Sequence, residues 1–483
     1  MTLYALFCGA LVLAPDVGPA FSLDEAFSLL KGNHPLLAKS DLEIEQARVD
    51  EAALSSQEVW HLNLQEENRL LGGDPANPFG PQRAYGVATR VGLQRDYWSS
   101  GGRLELGLDA SYLYLEHQAD AGTFPIGIPN VPDVAIPLTR DGLQSALSLQ
   151  YTYPLLQNPG LLKTLAVRDA SLKVSEAEFQ AAEAQELAML SVSMLYVEWW
   201  LSVEQIKLLE KRLELAGESK RVVVKRQRAR LAERVDVLRS EQAVQRALGG
   251  LAEYRARQAG IVAELESILG IQGLMQRVPE RVMLKPSHAS EQASDWIEQT
   301  RRLRLLTNLR ARLQLQVDAA QERLKPELAL IMRAGLKRED FRYTDDGQEG
   351  EFNPDAFAGI AFSVPLDRSS QRHRIESASL GQRVIDEEMR VQRLELSSEM
   401  ARMNAESTAL ENLLKVKERQ LAIAGERAKE EAKMFKLGRT LLNFVIESQD
   451  QVQQAKMERL EVLGRIARLK VRRLAVMDLL SAD

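Results

Sequence analysis

The chain has 483 residues, of which 45% are hydrophobic and 27% charged, with a net charge of −6 and a single cysteine, Cys8. That balance excludes a low-complexity chain, gives no global case for a nucleic-acid partner, and leaves no disulfide framework. The length allows two or three ordinary domains.

In chain order, the apolar run Leu3 to Ala14 is too short to span a bilayer as a helix. Small residues at Gly18-Pro19-Ala20 follow, so residues 1–20 read as a secretory signal peptide cleaved near Ala20, although no Lys or Arg precedes the run. Ser22 is an N-cap, with Glu25 completing a capping box. A longer helix is expected from about Leu36 to Leu70, then a loop over Gly72 to Pro81. Ala84 to Arg95 alternates weakly and ends in the turn Ser99-Ser100-Gly101-Gly102. Leu104, Leu106, Leu108, Ala110, Tyr112 and Tyr114 then alternate with Arg103, Glu105, Gly107, Asp109 and Ser111, a strand long enough to cross a membrane when tilted. A loop over Glu116 to Asp141 leads to a second clear strand, Leu143 to Tyr153. Tyr112 and Tyr114 close one end of this pair and Tyr151 and Tyr153 the other, as two interfacial aromatic girdles would. The β-propensity of tyrosine offers an alternative explanation.

From Leu161 to about Gly270 the chain reads as helix, reversing near Arg226 to Val235, with a 3-4 apolar seam at Leu187, Leu190, Met194, Val197 and Leu201. Residues 271–292 form a linker. Helix is expected again over about Ala293 to Leu324, then a strand from Glu327 to Lys337, an acidic loop from Thr344 to Pro354, and a returning strand that ends at Pro365. The remainder is helix with a reversal near Leu437-Gly438. Strand, Pro-Leu and long helix thus occur twice, so residues 21–270 and 293–483 read as an internal duplication.

Four membrane strands cannot close a barrel, and a membrane sheet cannot keep open edges, so several copies must share one barrel. Long helices with narrow seams likewise need helical neighbours. These patterns call for an oligomeric tube, part β and part α.

The segment Phe435-Lys436-Leu437-Gly438-Arg439-Thr440-Leu441-Leu442-Asn443-Phe444-Val445-Ile446-Glu447-Ser448-Gln449, with Val235-Asp236-Val237-Leu238 at the matching place in the first half, resembles the hairpin tips of the TolC family of outer-membrane efflux channels. The resemblance covers nearly the whole chain after residue 20. It implies a homotrimer with a 12-stranded outer-membrane barrel, four strands per protomer, continued by a periplasmic helical tube. The implied function is a passive exit duct of a tripartite efflux pump or type I secretion system. A periplasmic adaptor would dock on the tips, at Arg230, Asp236, Leu437, Gly438 and Arg439, and an inner-membrane transporter of the RND or ABC type would drive export. The barrel would contact outer-membrane lipid. The family's periplasmic gate positions fall on Phe444 and Glu447, with Asp450 one turn further. In the family's tip salt bridge Asp236 matches the acid, while the base falls on Thr440, with Arg439 beside it as a substitute. Arg230 stands where the family usually has Gly.

An enzyme is not expected: the five histidines form no metal-ligand pair, and neither a phosphate loop nor a nucleophile elbow has its full spacing. No cofactor is implied. The competing reading is a periplasmic coiled-coil scaffold or adaptor with a small soluble sheet.

Overall fold

A computed structural model describes residues 19–56, 58–72, 83–116, 139–230, 232–281, 296–343, 346–348 and 350–480. The signal-peptide reading therefore falls almost wholly outside the described residues, as do most of the expected loops over 72–81 and 116–141 and the second half of the linker 271–292.

The elements run β1 (Ala20–Phe21), α1 (Leu23–Asn33), α2 (Pro35–Ser55), β2 (His61–Gly72), β3 (Arg83–Asp96), β4 (Arg103–Glu116), β5 (Thr139–Pro154), α3 (Pro159–Arg228) and α4 (Arg234–Leu269). They continue with β6 (Val278–Pro279), α5 (Trp296–Gln299), α6 (Arg301–Glu322), β7 (Glu327–Tyr343), β8 (Asp346–Gln348), β9 (Phe352–Ser363), α7 (Ser369–Lys436) and α8 (Leu442–Val476). The two long helical hairpins match in size, 70 and 36 residues against 68 and 35.

The helix drawn from Leu36 to Leu70 stops at Ser55, and residues 61–72 are strand β2. Gln65, Glu66 and Glu67 are good helix formers, but the segment pairs with β3 from His61↔Gln94 to Gly72↔Arg83. Tertiary pairing overrides local propensity there. The expected acidic loop is also shorter, since Phe352 to Pro354 already belong to β9.

The chain divides into two compact units. The first holds Met1–Glu45, Glu176–Thr307 and Glu387–Asp483. Its core gathers Phe21, Leu30, Tyr196, Trp199, Leu265 and Leu269, each at most 1% exposed, so this is where apolar burial concentrates. Ser22 caps α1, its Oγ accepting the Glu25 N–H at 3.1 Å. The Tyr196 hydroxyl donates to the Phe21 carbonyl at 2.6 Å, and burial pushes its pKa up. The expected helix over 293–324 breaks at Thr300 between α5 and α6. There the Arg301 guanidinium donates to Glu186 at 2.6 Å and to Asp478 at 3.2 Å, while the Arg301 N–H donates to Asp478 at 2.5 Å. Burial alone would lower the Arg301 pKa, but these carboxylates outweigh it and raise it.

The second unit holds Gln46–Ser175 and Asn308–Asp386. Its sheet is antiparallel, in the order β2-β3-β4-β5-β7-β9, with the short β8 also on β7. The four expected strands lie side by side as β4, β5, β7 and β9, and the weak segment at 84–95 is a full strand, so six long strands form one sheet. The turn between β3 and β4 needs glycine: Gly101 has φ 69°, and a Cβ there would lie 2.3 Å from the Asn158 side chain. The buried Glu322 accepts the Asn158 N–H at 2.8 Å. The Leu155 N–H donates to the Leu328 carbonyl at 2.7 Å.

Candidate functional site

Two features of the structure bear on function: the faces of the sheet and the ends of the helical hairpins.

The strand registers line up one apolar row after another. Leu64 pairs with Val91, Val91 with Leu108, Leu108 with Leu147, and Leu147 with Leu336. A second row joins Tyr153, Leu330 and Ile360. The opposite face is polar, with Arg90 paired to Asp109 and the Gln144 side chain donating to Glu339 at 2.9 Å. Side chains alternate across a strand, so one face of the sheet is mainly apolar, broken on β2 by Glu66 and Asn68. It is also exposed: Leu108, Leu143, Leu147 and Leu336 are 45–51% accessible, too much apolar surface for a sheet facing water.

The expected girdle residues sit at opposite ends of this face. Tyr151 pairs with Leu104, and Tyr112 lies further along the same β4 strand. At ~3.4 Å per residue the two levels are roughly 27 Å apart along the strand, close to the height of a membrane band. Tyr85 pairs with Tyr114 and joins the Tyr112 level. Trp60, Tyr97 and Trp98 gather near the other end of the hairpin, with Arg95 5.9 Å above the Trp60 ring and 5.3 Å above Tyr97. The sequence reading missed these three because they stand outside any alternating run.

At the other site, both reversals use the same device. Gly438 has φ 71°, its N–H donates to the Phe435 carbonyl at 3.0 Å, and the Arg439 N–H donates to Met434 at 2.9 Å, a Schellman ending. Arg230 occupies the equivalent position of the first hairpin at φ 58°. The two tips meet where the Arg226 guanidinium lies 4.3 Å over the Phe435 ring. Leu437, Leu441, Val235 and Leu238 are 48–68% exposed at these tips, so each tip presents apolar side chains on its surface.

Asp236 does not pair with Arg439 among the described bonds. Its carboxylate accepts the Glu233 N–H at 3.2 Å, at the start of its own helix, and lies 3.7 Å from Arg239. Thr440 donates instead to Glu431 at 3.2 Å. Helix α8 turns Phe444, Glu447, Gln451 and Gln454 outward and Val445, Ser448 and Gln453 inward. The gate candidates Phe444 and Glu447 thus share an exposed stripe, while Asp450 is held by Arg212, whose Nε donates at 3.0 Å. Arg212, Arg239 and Arg246 line one groove with Glu447 and Asp450. Three arginines against two carboxylates mean that this groove is not acidic as a whole. The arginines went unnoticed because they belong to the first hairpin, nearly 200 residues or more from the gate segment.

No protein-family model matches the sequence, and no curated protein matches it. Solved structures do. The outer-membrane protein VceC of Vibrio cholerae is 13% identical, with 94% of this chain and 96% of that one covered at a TM-score of 0.62. A membrane protein from Pseudomonas aeruginosa is 13% identical over 97% and 94%, at 0.65. The open state of the MtrE outer-membrane channel of Neisseria gonorrhoeae is 12% identical over 95% and 90%, at 0.61. At these identities the likeness concerns the fold: the chain has the helical and β architecture of these outer-membrane channels.

Proposed function

We propose that this protein is the outer-membrane exit duct of an export system, a passive channel whose barrel spans the outer membrane and whose helices form a tube in the periplasm. The observation that carries the reading is the sheet. It has one broad, exposed apolar face, aromatic residues at two levels, and a polar opposite face. The fold shared with outer-membrane channels supports it. The periplasmic scaffold reading would leave this apolar face in water.

Three copies close the tube, and the exposed apolar tips receive a periplasmic adaptor that links the duct to an inner-membrane transporter. Efflux pump and type I secretion system both fit this arrangement. Phe444 and Glu447 ring the entrance in each copy, a constriction part apolar and part acidic. The Arg212–Asp450 pair, at 2.9 Å, ties α8 of the second hairpin to α3 of the first and holds the entrance narrow. No step of catalysis is involved.

Fractionation tests the reading. The protein should sediment with outer membranes, require detergent for release, and then migrate as a complex of three 54.1 kDa chains, less any cleaved leader. Release from the periplasm as a single chain without detergent would overturn it in favour of the scaffold. Glu447→Gln should weaken the cation preference of the open duct, and an unchanged selectivity would remove Glu447 from the entrance.

A further inference from the structure

We propose that β2 and β3 are part of the membrane wall and that the sheet closes with further copies of this chain, β9 of one copy pairing antiparallel with β2 of the next. Three copies then give a barrel of 18 long strands, not 12. This rests on the duct reading above and specifies its pore.

The registers carry the inference. In a four-strand unit the outer edge of β4 would receive the neighbouring copy. Here that edge is occupied along its whole length by β3, from Arg83↔Glu116 to Asp96↔Arg103. Among the described residues, the free edges of the long strands are β2 and β9. Successive strands are antiparallel and six in number, so the two edge strands point in opposite directions and a ring of copies stays antiparallel at every joint. An odd number would force a parallel joint.

The added strands also follow the in–out code of the others. Leu62 and Leu64 continue the apolar face through Leu93 and Val91 to Leu106 and Leu108. Arg90 on β3 meets Asp109 of β4 on the polar face. Glu66 and Asn68 interrupt the apolar row, with Asn68 standing level with Tyr112, at the outer rim. Apolar exposure is highest at the two edges: 68–81% for the leucines of β2 at 62, 64 and 70, and 61–69% for Phe352, Ile360 and Phe362 of β9. In the middle of the sheet even the most exposed apolar side chains are 37–51% accessible. Each edge lacks one flanking strand, and the next copy supplies it. A hydrocarbon layer permits no unpaired edge. Because barrel diameter grows roughly linearly with strand number, the wall would be about 1.5 times as wide as one of 12 strands and enclose about 2.3 times the cross-section.

Cysteine pairing tests this in the full chain, where Cys8 is the only native thiol. Cys is placed at Asn63, Gln65 or Glu67 of β2 and combined with Cys at Asn353, Asp355 or Phe357 of β9, all on the polar face. A second set combines the same β9 positions with Gly107→Cys or Ser111→Cys on β4. Oxidation in membranes should link copies into dimers and trimers through a β2–β9 pair and through no β4–β9 pair. Linkage through β4–β9, or membrane trimers that no β2–β9 pair links, would overturn the 18-strand barrel and leave the duct standing. A monomer free in the periplasm would overturn both. Imaging the unmodified barrel gives the same decision without variants, by 18 strands or 12.

Discussion

The two helical hairpins have the same layout and different support. The first, α3 and α4, is built around the large apolar core, with Tyr196, Trp199, Leu265 and Leu269 essentially inaccessible. The second, α7 and α8, has a smaller buried cluster of its own around Met403, Leu410, Val462 and Leu469, while Leu460 and Val471 of α8 join the large core. Elsewhere ion pairs such as Lys417–Glu458 at 2.8 Å and Arg459–Glu418 at 3.1 Å join its two helices. Surface ion pairs contribute little net stability, so the part of the second hairpin outside the large core has the weaker support. The tips repeat the contrast. The first helix after the turn starts with Asp236 holding a backbone N–H, whereas Leu441 begins the second with no side-chain cap. The gate candidates Phe444 and Glu447 lie on this second hairpin, in α8.

The largest effect should come from the first core. Trp199→Ala should cost about 3–5 kcal/mol, and Leu410→Ala in the second hairpin about 2 kcal/mol, the low end for a truncation of this kind. Denaturant titration of the detergent-extracted protein measures both. Equal losses would erase the distinction between the hairpins.

The turns come next. Gly438→Ala puts a Cβ into the left-handed region and should cost about 1 kcal/mol, whereas Arg230→Gly removes that strain and should stabilise by about as much. Opposite signs at equivalent positions are the expected outcome, read as shifts in melting temperature. Asp236→Ala, which leaves the Glu233 N–H without its partner, should cost about 1 kcal/mol, with no counterpart at Leu441.

The smallest effect concerns acid. The hydrogen bond from Lys417, followed by one from Gln454, holds the Glu458 carboxyl below its usual value of 4.5. A depressed pKa stabilises the fold above the unfolded value, and that contribution disappears as pH falls through the folded one. Stability should therefore decline below about pH 4.5, by well under 1 kcal/mol for this partly exposed pair. Lys417→Met should flatten that part of the profile, and an unchanged profile would remove the pair from the account.

Much of this architecture was legible in the sequence. The strands at 103–114 and 143–153 stood out because Leu and Tyr alternate with polar residues, and the Gly438 turn because glycine there is followed by a new apolar seam. Strand β2 was not legible: Gln65 to Glu67 look helical, and only pairing with β3 makes them strand. The gate candidates Phe444 and Glu447 came from the resemblance of one segment to the family's hairpin tips, and the helix repeat puts both on one exposed stripe of α8. The Arg212–Asp450 pair could not, since its partners lie on different hairpins and no local pattern joins them.

The central claim is a pore, and conductance in a planar bilayer tests it most directly. The protein should be extracted from outer membranes and carry Arg212→Ala, which removes the tie holding α8, so that a closed entrance cannot mask the channel. The account predicts discrete conductance steps, larger than those of the unmodified protein. A folded, membrane-extracted Arg212→Ala protein that inserts and passes no current would contradict it.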